Sequence, residues 1–182
     1  MTTYISLLRG INVSGHNLIK MEALRISYQN LGFYNVRTYV QSGNVIFSGN
    51  NQDEAFVKLQ ISQQIKKDFG FDVAVIIMSA DSLEQIIVNN PFSGQSDKDR
   101  SFIHFTFLSV TPENFDLLTF ESKKQNGEEV FLLNNTIYLY CPDGYGKTKL
   151  TNHFAEKKMK VTATTRNWKT TNELLTIAQK LI

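Results

Sequence analysis

The sequence predicts an α+β protein, a tandem duplication of ferredoxin-like (split βαβ) units with extra helices. The order strand, helix, strand, strand, helix, strand is predicted over residues 3–79 and again over residues 102–166. Each repeat also has a short hairpin at its centre, and an additional helix follows each repeat. We therefore predict a first half over residues 1–90, a linker over 91–101, and a second half with a C-terminal helix over 102–182.

The first half begins with an apolar run at residues 4–8 that is typical of a strand. After the loop RGINVSGHN, apolar residues recur at helical spacing from Met21, and Gly32 is expected to end that helix. Asp53 is a good N-cap for a second helix, which Gly70 ends. The other predicted elements are strands at 36–41, 44–48 and 73–78, a turn at Ser42-Gly43, and a helix at 81–89.

The second half begins with a strand at residues 102–110, directly after the polar stretch GQSDKDRS. Thr111-Pro112-Glu113 predicts the start of a helix, because proline is favoured in the first helical turn. The remaining elements are predicted as a hairpin of residues 129–133 and 136–140 around Asn134-Asn135, a helix at 147–158, a strand at 161–165 and a helix at 168–182.

Composition and charge exclude several classes of protein. The chain has 182 residues, 42% of them hydrophobic and 20% charged, which is an ordinary globular composition. A net charge of +2 is low for a dedicated DNA-binding domain. The single cysteine, Cys141, excludes an internal disulfide framework. Because no apolar run approaches the roughly 18 residues of a membrane span, and the N-terminus lacks a basic leader region, we expect a soluble cytoplasmic protein with no membrane partner.

The residue types of common catalytic and metal sites are scattered. The three histidines are far apart and in no ligand spacing, so we predict no metal site and no cofactor. Cys141 is interpreted as a small buried apolar residue. Residues 146–148, GKT, match the end of a phosphate-binding P-loop, but the full pattern needs a glycine where Cys141 stands. Whether the protein is an enzyme stays open, and its catalytic residues are unknown.

Three polar clusters are candidates for ligand binding. The first combines a glycine-bearing loop with the first hairpin. Such a density of amides and cations, with few carboxylates, suits a polar or anionic ligand, although Asn and Gly are also ordinary turn residues. Its candidate ligand-binding residues are Arg9, Asn12, Asn17, Lys20, Arg37, Gln41 and Asn44.

The other two clusters lie in the second half. Tyr145, Lys147, Lys149 and Asn152 surround the predicted start of the helix at 147–158, where free N–H groups could hold a phosphate. The alternative is that these lysines form a solvated face. In the third cluster Asn167 could cap the last helix, whereas Arg166 beside an aromatic residue suits a phosphate or base contact. The candidates of the third cluster are Arg166 and Asn167.

The motifs of these clusters resemble a known family. The segments YISLLRGINVSGHNLIKMEALR, NVRTYVQSGNV, YGKTKLTN and ATTRNWKT are similar to the bacterial "domain of unknown function 1697" family over nearly the whole chain. The resemblance implies a tandem ferredoxin-like α+β fold and no established activity. Ser14 stands where the family more often has glycine. The family motifs coincide with the polar clusters, which favours a shared functional surface.

Three functions remain as hypotheses. The first is binding of a phosphate-bearing ligand, either a nucleotide or nucleic acid, in a cleft between the two halves. For RNA, stacking faces could come from Tyr138 and Tyr140, with His104 as a candidate neighbour, unless the other half covers them. The second is a small-metabolite enzyme that uses Arg and Lys for charge stabilisation, with His16 or His153 as base. The third is a structural or interaction protein without catalysis. Its oligomeric state is unknown.

Overall fold

The computed structural model describes residues 1–181. Over these residues the chain is a mixed α/β protein with two four-stranded antiparallel sheets and six α-helices. It divides into two compact units, which we name unit 1 (Met1–Glu84 with the chain from Glu173 onward) and unit 2 (Gln85–Asn172). Unit 1 therefore includes sequence from both ends of the chain. The end of the predicted last helix, at residue 182, lies outside the described residues.

The sheet of unit 1 has the order β2-β3-β1-β4, so its first strand in sequence is central. The N-cap prediction is confirmed, since the Asp53 carboxylate accepts hydrogen bonds from the backbone of Ala55 and Phe56 at 2.9 and 3.2 Å. The predicted stop at Gly70 is also confirmed, with a left-handed φ of 82°. The elements are β1 (Thr2–Leu8), α1 (Met21–Asn30), β2 (Tyr34–Tyr39), β3 (Asn44–Gly49), α2 (Glu54–Phe69), β4 (Val75–Ser79) and α3 (Ala80–Val88).

The sheet of unit 2 repeats this order as β6-β7-β5-β8, again with its first strand central. A short 3-10 helix, Arg100–Phe102, leads into its first strand. The predicted hairpin is confirmed residue for residue. The elements are β5 (Ile103–Leu108), α4 (Leu117–Glu121), β6 (Glu129–Leu133), β7 (Thr136–Tyr140), α5 (Asn152–Met159) and β8 (Ala163–Asn167). They are followed by α6 (Trp168–Gln179), which passes from unit 2 into unit 1 after Asn172.

Two predicted helix starts are wrong, and capping side chains explain both. The helix expected from residues 111–113 begins only at Leu117, because the Asp116 carboxylate accepts a hydrogen bond from Thr119 N–H at 3.2 Å. The helix expected from residue 147 begins at Asn152, where the Thr151 hydroxyl caps Phe154 N–H at 3.2 Å. Residues 147–151 are therefore a connection rather than a helical turn.

The core of unit 1 lies between one face of its sheet and the helices α1 and α2. Tyr4 pairs with Phe47 across β1 and β3, and their rings stack with centroids 5.5 Å apart. Tyr28 of α1 meets the Phe47 ring edge-on at 5.3 Å. Leu24 of α1 and Ile61 of α2 are fully buried in the same cluster. This packing fixes where α1 begins, and so where the loop between β1 and α1 must end.

No helix within residues 1–181 combines the length and the apolar character needed to cross a membrane. The longest helix, α2, has 16 residues and carries charged residues along its length. The cytoplasmic location expected from the sequence stays a prediction.

A buried hydrogen bond between β1 and α1 can be tested by a double-mutant cycle. The Tyr28 and Ser6 hydroxyl oxygens are 2.7 Å apart and both residues are buried. We expect Tyr28→Phe to lower the free energy of unfolding by about 1–3 kcal/mol, since Ser6 loses this partner in the core. Ser6→Ala combined with Tyr28→Phe should cost less than the sum of the single changes in urea unfolding. Strict additivity would show that the hydroxyl pair does not stabilise unit 1.

Candidate functional site

Asn12 joins two segments of unit 1 that are distant in sequence. We name residues 9–20 the N-terminal loop and residues 40–43 the hairpin turn. The Asn12 side-chain amide donates hydrogen bonds to the carbonyl oxygens of Ile19 at 3.0 Å and Gln41 at 2.9 Å. Its side-chain oxygen accepts a hydrogen bond from Ile19 N–H at 2.8 Å. One amide therefore closes the N-terminal loop at its base and attaches it to the hairpin turn.

The hairpin turn also packs tightly against the end of β1. Leu8 N–H donates to the Gly43 carbonyl at 2.8 Å. A Cβ on Gly43 would lie 2.7 Å from Leu8 Cβ and 2.9 Å from Ile11 Cδ1, so a larger residue does not fit without movement. Within the turn, the buried Asn44 side chain donates to Tyr39 O at 3.0 Å and Ser42 Oγ at 2.9 Å. The turn spans four residues rather than the predicted Ser42-Gly43 pair, because β2 ends at Tyr39.

Backbone strain is concentrated in the N-terminal loop. Asn12, Ser14 and Asn17 have φ values of 53°, 50° and 49°, in the left-handed region. Ser14 stands at a position that the family resemblance assigns more often to glycine, and its positive φ supplies the physical reason for that preference. Asn17 stabilises the strained path, because its side chain donates to Gly10 O at 3.2 Å. Strain of this kind in an exposed loop is a common feature of binding sites.

The cations of the first cluster are on or beside these two segments. Arg9 is half-buried, and its backbone N–H donates to Ala74 O at 2.9 Å. Lys20 is exposed at the end of the N-terminal loop, and Arg37 is exposed on the edge strand β2. Residues 9–20 and 34–50 contain no Asp or Glu. Within residues 1–181 neither Lys20 nor Arg37 has a carboxylate partner, so this part of unit 1 carries uncompensated positive charge.

The N-terminus of α1 is a feature that the sequence analysis missed. Lys20 is its N-cap residue, and no side chain among the described residues accepts a hydrogen bond from its first turn. By contrast, Asp53 caps α2 and Thr151 caps α5. A sequence signal was present, since Lys20 stands where Ser, Thr, Asp or Asn would usually cap. The order strand, glycine-bearing loop, uncapped helix is an arrangement that binds phosphate through backbone N–H groups.

In unit 2, Tyr145 and Asn152 take part in an internal hydrogen-bond network. The Thr165 hydroxyl of β8 donates to Asn152 Oδ1 at 2.6 Å and accepts from the Tyr145 hydroxyl at 3.0 Å. It also lies 2.7 Å from the Thr106 hydroxyl on β5. These bonds orient both predicted ligand-binding side chains towards the sheet. They hold the loop at Tyr145 and the start of α5 in place.

Lys147 and Lys149 are exposed, but they are not in a helical first turn as predicted. Gln125 donates its side-chain amide to the Lys147 carbonyl, which attaches this connection to the loop before β6. Because Thr151 caps α5 two residues after Lys149, the arrangement expected for an anion at this helix start is not formed by these lysines. The second cluster is thus a folded connection with two solvent-exposed ammonium groups.

The third cluster separates into a cap and a buried cation. Asn167 Oδ1 accepts a hydrogen bond from Thr170 N–H at 2.8 Å, so the predicted cap of α6 is confirmed. Arg166 is only 9% exposed, and its guanidinium donates to Thr164 Oγ1 at 2.8 Å. Arg166 pairs with Phe105 and its neighbour Thr165 with Thr106. Alternation along the strand therefore places Arg166 on the face of the unit 2 sheet opposite to Thr165 and its partner Tyr145.

The aromatic residues proposed for RNA stacking do not form an exposed platform. Tyr138 is 2% exposed, and its hydroxyl donates to Ile86 O at 2.9 Å. Tyr140 is also buried. His104 pairs with Leu139, so it lies on the face opposite to Tyr138 and Tyr140, and the predicted juxtaposition is wrong. Stacking of RNA bases on these rings is not supported by their placement.

The structure does not assemble a catalytic constellation around the residues considered for one. Cys141 is fully buried, and burial together with the nearby Glu128 raises its pKa to about 12, which confirms its interpretation as a buried apolar residue. His16 and His153 are both exposed, in the N-terminal loop and on α5 respectively. Within residues 1–181, no group of three or more His, Cys, Asp or Glu side chains is placed to hold a metal ion.

Comparison with known proteins assigns the family. Residues 1–138 match the family described as "Protein of unknown function (DUF1697)". The chain belongs to this family. The match confirms the resemblance stated from the sequence, and it contains the N-terminal loop and the hairpin turn. The candidate residues of the second and third clusters, from Tyr145 to Asn167, lie beyond the matched range.

A solved structure supports the fold but names no activity. The chain is similar to "conserved bacterial protein SP0830 from Streptococcus pneumoniae", with 26% sequence identity and a TM-score of 0.73. The alignment covers 97% of this chain and 98% of that one. No curated protein matches this sequence. The DUF1697 family and its solved neighbour therefore leave the function to be argued from the site.

The close approach at Gly43 gives a test of how the site is built. We expect Gly43→Ala to lower the free energy of unfolding by about 1–3 kcal/mol more than Gly15→Ala, as overpacking usually does. Both glycines have positive φ, at 73° and 79°, but nothing lies within 4 Å of a Cβ on Gly15. Both substitutions strain the backbone, but only Gly43→Ala also causes a steric clash. The difference between the two free energies of unfolding, measured in urea, therefore reports the clash. Equal losses would contradict tight seating of the hairpin turn.

The His104 environment predicts a pH dependence of stability. Its ring stacks on Tyr145 with centroids 5.0 Å apart, and burial lowers the pKa of His104. His104 therefore binds a proton more readily in the unfolded state than in the folded state. Its contribution to the free energy of unfolding is complete above the ordinary histidine pKa of about 6.5 and decreases as the pH falls below that value. We expect His104→Gln to flatten this decrease in unfolding measured across that pH range. An unchanged slope would show that His104 is not its source.

Proposed function

We propose that this protein binds a phosphate-bearing ligand at the N-terminal loop of unit 1. The observation that supports this most directly is the Asn12 side chain, which fixes the strained loop beside the uncapped first turn of α1. Backbone N–H groups at a helix N-terminus attract anions, because they are unpaired donors at the positive end of the helix dipole. Lys20 at the same position adds a mobile positive charge.

The distribution of charge supports an anionic ligand over a neutral one. Lys20 and Arg37 are exposed, and the N-terminal loop and the hairpin carry no carboxylate of their own. An arginine can contact two phosphate oxygens at once, whereas a lysine acts as a point charge. Exposed apolar side chains, Val13, Leu18 and Val40, lie in the same two segments and would contact an uncharged part of the ligand.

The amides and the cations of this cluster have separate roles in the proposed site. The side-chain amide of each of Asn12, Asn17 and Asn44 donates a hydrogen bond to a backbone carbonyl group. This favours a structural role over ligand binding for these three side chains. Lys20 and Arg37 make no such bonds within residues 1–181. Binding is therefore assigned to the exposed cations and the backbone of the loop, while the asparagines position that backbone.

We further infer that the two units are ferredoxin-like and arose by tandem duplication. Each contains the element order βαββαβ, a helix follows each of these runs in the chain, and each sheet has its strands in the order second, third, first, fourth. This is the arrangement of the split βαβ motif. The location of the ligand between two halves, expected from the sequence, stays a prediction, and the site proposed here uses unit 1 alone.

Binding of two probes tests the proposed function. ATP represents a nucleotide, and a fluorescein-labelled single-stranded DNA oligonucleotide represents nucleic acid. We expect the Lys20→Gln/Arg37→Gln variant to bind at least one probe at least about tenfold more weakly at low salt, since the loss of even one charge-assisted hydrogen bond costs about 1.5–3 kcal/mol. For the oligonucleotide, the slope of log K against log salt should fall by about 0.7 for each lost phosphate contact.

A matched control separates a site from general electrostatic attraction. Lys58→Gln/Lys67→Gln removes two positive charges from α2, in the same unit but outside the N-terminal loop. This control should bind both probes as the wild type does. Equal weakening of the two double variants, or no wild-type binding of either probe at low salt, would overturn the proposed site. ATP hydrolysis that is lost in His16→Ala would instead favour the enzyme alternative.

A further inference from the structure

Unit 2 contains a pocket that none of the predicted clusters includes. Its volume is about 410 Å³, which is in the size range of small-molecule sites. Its lining combines apolar residues, of which Ile87 is half-buried and Phe92 and Ile103 are almost fully buried, with the polar loop 93–96. The side chains of Arg100 and Trp168 also line it. The pocket is thus mainly polar with a smaller apolar part, a composition that suits a charged organic ligand.

Arg100 is held in the pocket by an aromatic contact instead of by a carboxylate. Its guanidinium carbon lies 5.1 Å from the centroid of the Trp168 ring. Among residues 1–181 no Asp or Glu forms an ion pair with Arg100. No side chain or carbonyl among residues 1–181 accepts a hydrogen bond from the Arg100 guanidinium, so its N–H donors are available for two oxygens of an anion. Arg100 is thus pre-positioned and its charge is uncompensated.

Lys98, the other cation of the pocket, differs from Arg100 because carboxylates neutralise its charge. It forms an ion pair with Glu129, and Asp97 lies 3.8 Å away. Its ammonium group is also 4.6 Å from the centroid of the Tyr140 ring. The hydrogen bond to Glu129 raises the pKa of Lys98. Lys98 therefore fixes the wall of the pocket, and Arg100 alone supplies net positive charge to it.

The wall that faces these residues is ordered by its own turns. The buried Asn90 side chain accepts a hydrogen bond from Phe92 N–H at 3.1 Å. Ser93 N–H donates to Asn90 O at 2.9 Å, and Gln95 N–H donates to Phe92 O at 3.3 Å. These bonds hold the polar loop without a ligand. The pocket is therefore formed in advance, which reduces the entropy lost on binding.

We propose that this pocket binds a small organic anion, whose oxyanion pairs with Arg100 while its planar or apolar part contacts the half-buried residues Ile87 and Trp168. The oxyanion can be a phosphate monoester or a carboxylate, because both present two oxygens to the guanidinium edge. The site is separate from the one proposed in unit 1. It shares no residue with the N-terminal loop or the hairpin turn.

Trp168 provides a direct readout, since it is the only tryptophan of the chain and lines the pocket. Phenyl phosphate and benzoate are the probes, with inorganic phosphate as a third ligand that lacks an apolar part. We expect phenyl phosphate or benzoate to change Trp168 fluorescence and to give a saturable calorimetric titration. Inorganic phosphate should bind more weakly than the preferred organic probe. The stronger of the two organic probes identifies the oxyanion.

Variants decide whether Arg100 carries the binding. Arg100→Gln should weaken the preferred probe at least about tenfold in calorimetry, which corresponds to loss of a charge-assisted contact. The affinity of Arg100→Lys should lie between those of Arg100→Gln and the wild type, because lysine keeps the positive charge but lacks the planar group that donates two parallel hydrogen bonds. Lys169→Gln, an exposed change one residue after Trp168, should leave the affinity unchanged.

Failure of this inference is distinguishable from failure of the unit 1 site. The Lys20→Gln/Arg37→Gln variant should give the same Trp168 fluorescence titration with phenyl phosphate or benzoate as the wild type, because Trp168 lines the unit 2 pocket and not the unit 1 site. No saturable binding of either organic probe to the wild-type protein would overturn the pocket inference. Equal binding by Arg100→Gln, with circular dichroism showing the same fold, would overturn it as well.

Discussion

The hydrogen bonds of the Asn12 side chain are the constraint on which the candidate site of unit 1 depends. Through them a single amide closes the N-terminal loop at Ile19 and ties it to the hairpin turn at Gln41. The loop can then hold several residues at positive φ, because these hydrogen bonds offset the conformational free energy that each such residue costs. Because Gly43 has no Cβ, the hairpin turn can pack closely against the end of β1.

The two units use their polar residues differently. In unit 1 the side chains of Asn12 and Asn44 donate to backbone carbonyl groups, whereas the cations Lys20 and Arg37 are exposed, so the surface of the loop and hairpin stays positive. In unit 2 the hydrogen bonds to Thr165 engage the side chains of Tyr145 and Asn152, two of the residues predicted for binding. An exposed cation with an aromatic partner there is Arg100, whose guanidinium carbon lies 5.1 Å from the centroid of the Trp168 ring. Each unit therefore presents positive charge from a different part of its own fold.

Burial separates structural groups from candidate binding groups in this protein. Arg166 is 9% exposed and bonded to Thr164, so its charge belongs to the interior of its sheet. Cys141 is fully buried with a raised pKa, which makes it a poor nucleophile. A buried cation or thiol near a family motif is easily mistaken for a functional residue in sequence. Accessibility and partners, which sequence does not display, decide between the two roles.

Local features of the sequence were sufficient for elements whose ends are set by neighbouring residues. The cap at Asp53, the stop at Gly70 and the hairpin around Asn134-Asn135 depend on side chains within a few positions, and all three are present in the structure. Family membership was likewise evident from the motifs. The start of α5 was predicted too early because residues 147–151 contain several polar residues that could precede a helix. Only the folded structure shows that Thr151 is the N-cap.

What the tertiary structure alone decided is which polar residues meet. Asn12 and Gln41 are 29 positions apart and are joined only once β1, β3 and α1 have packed. The face on which Arg166 lies depends on strand register, where a shift of one residue exchanges the two faces. Arg100 and Trp168 meet in the same way. Sequence spacing sets local geometry, but contacts between distant residues depend on the packing of the whole unit.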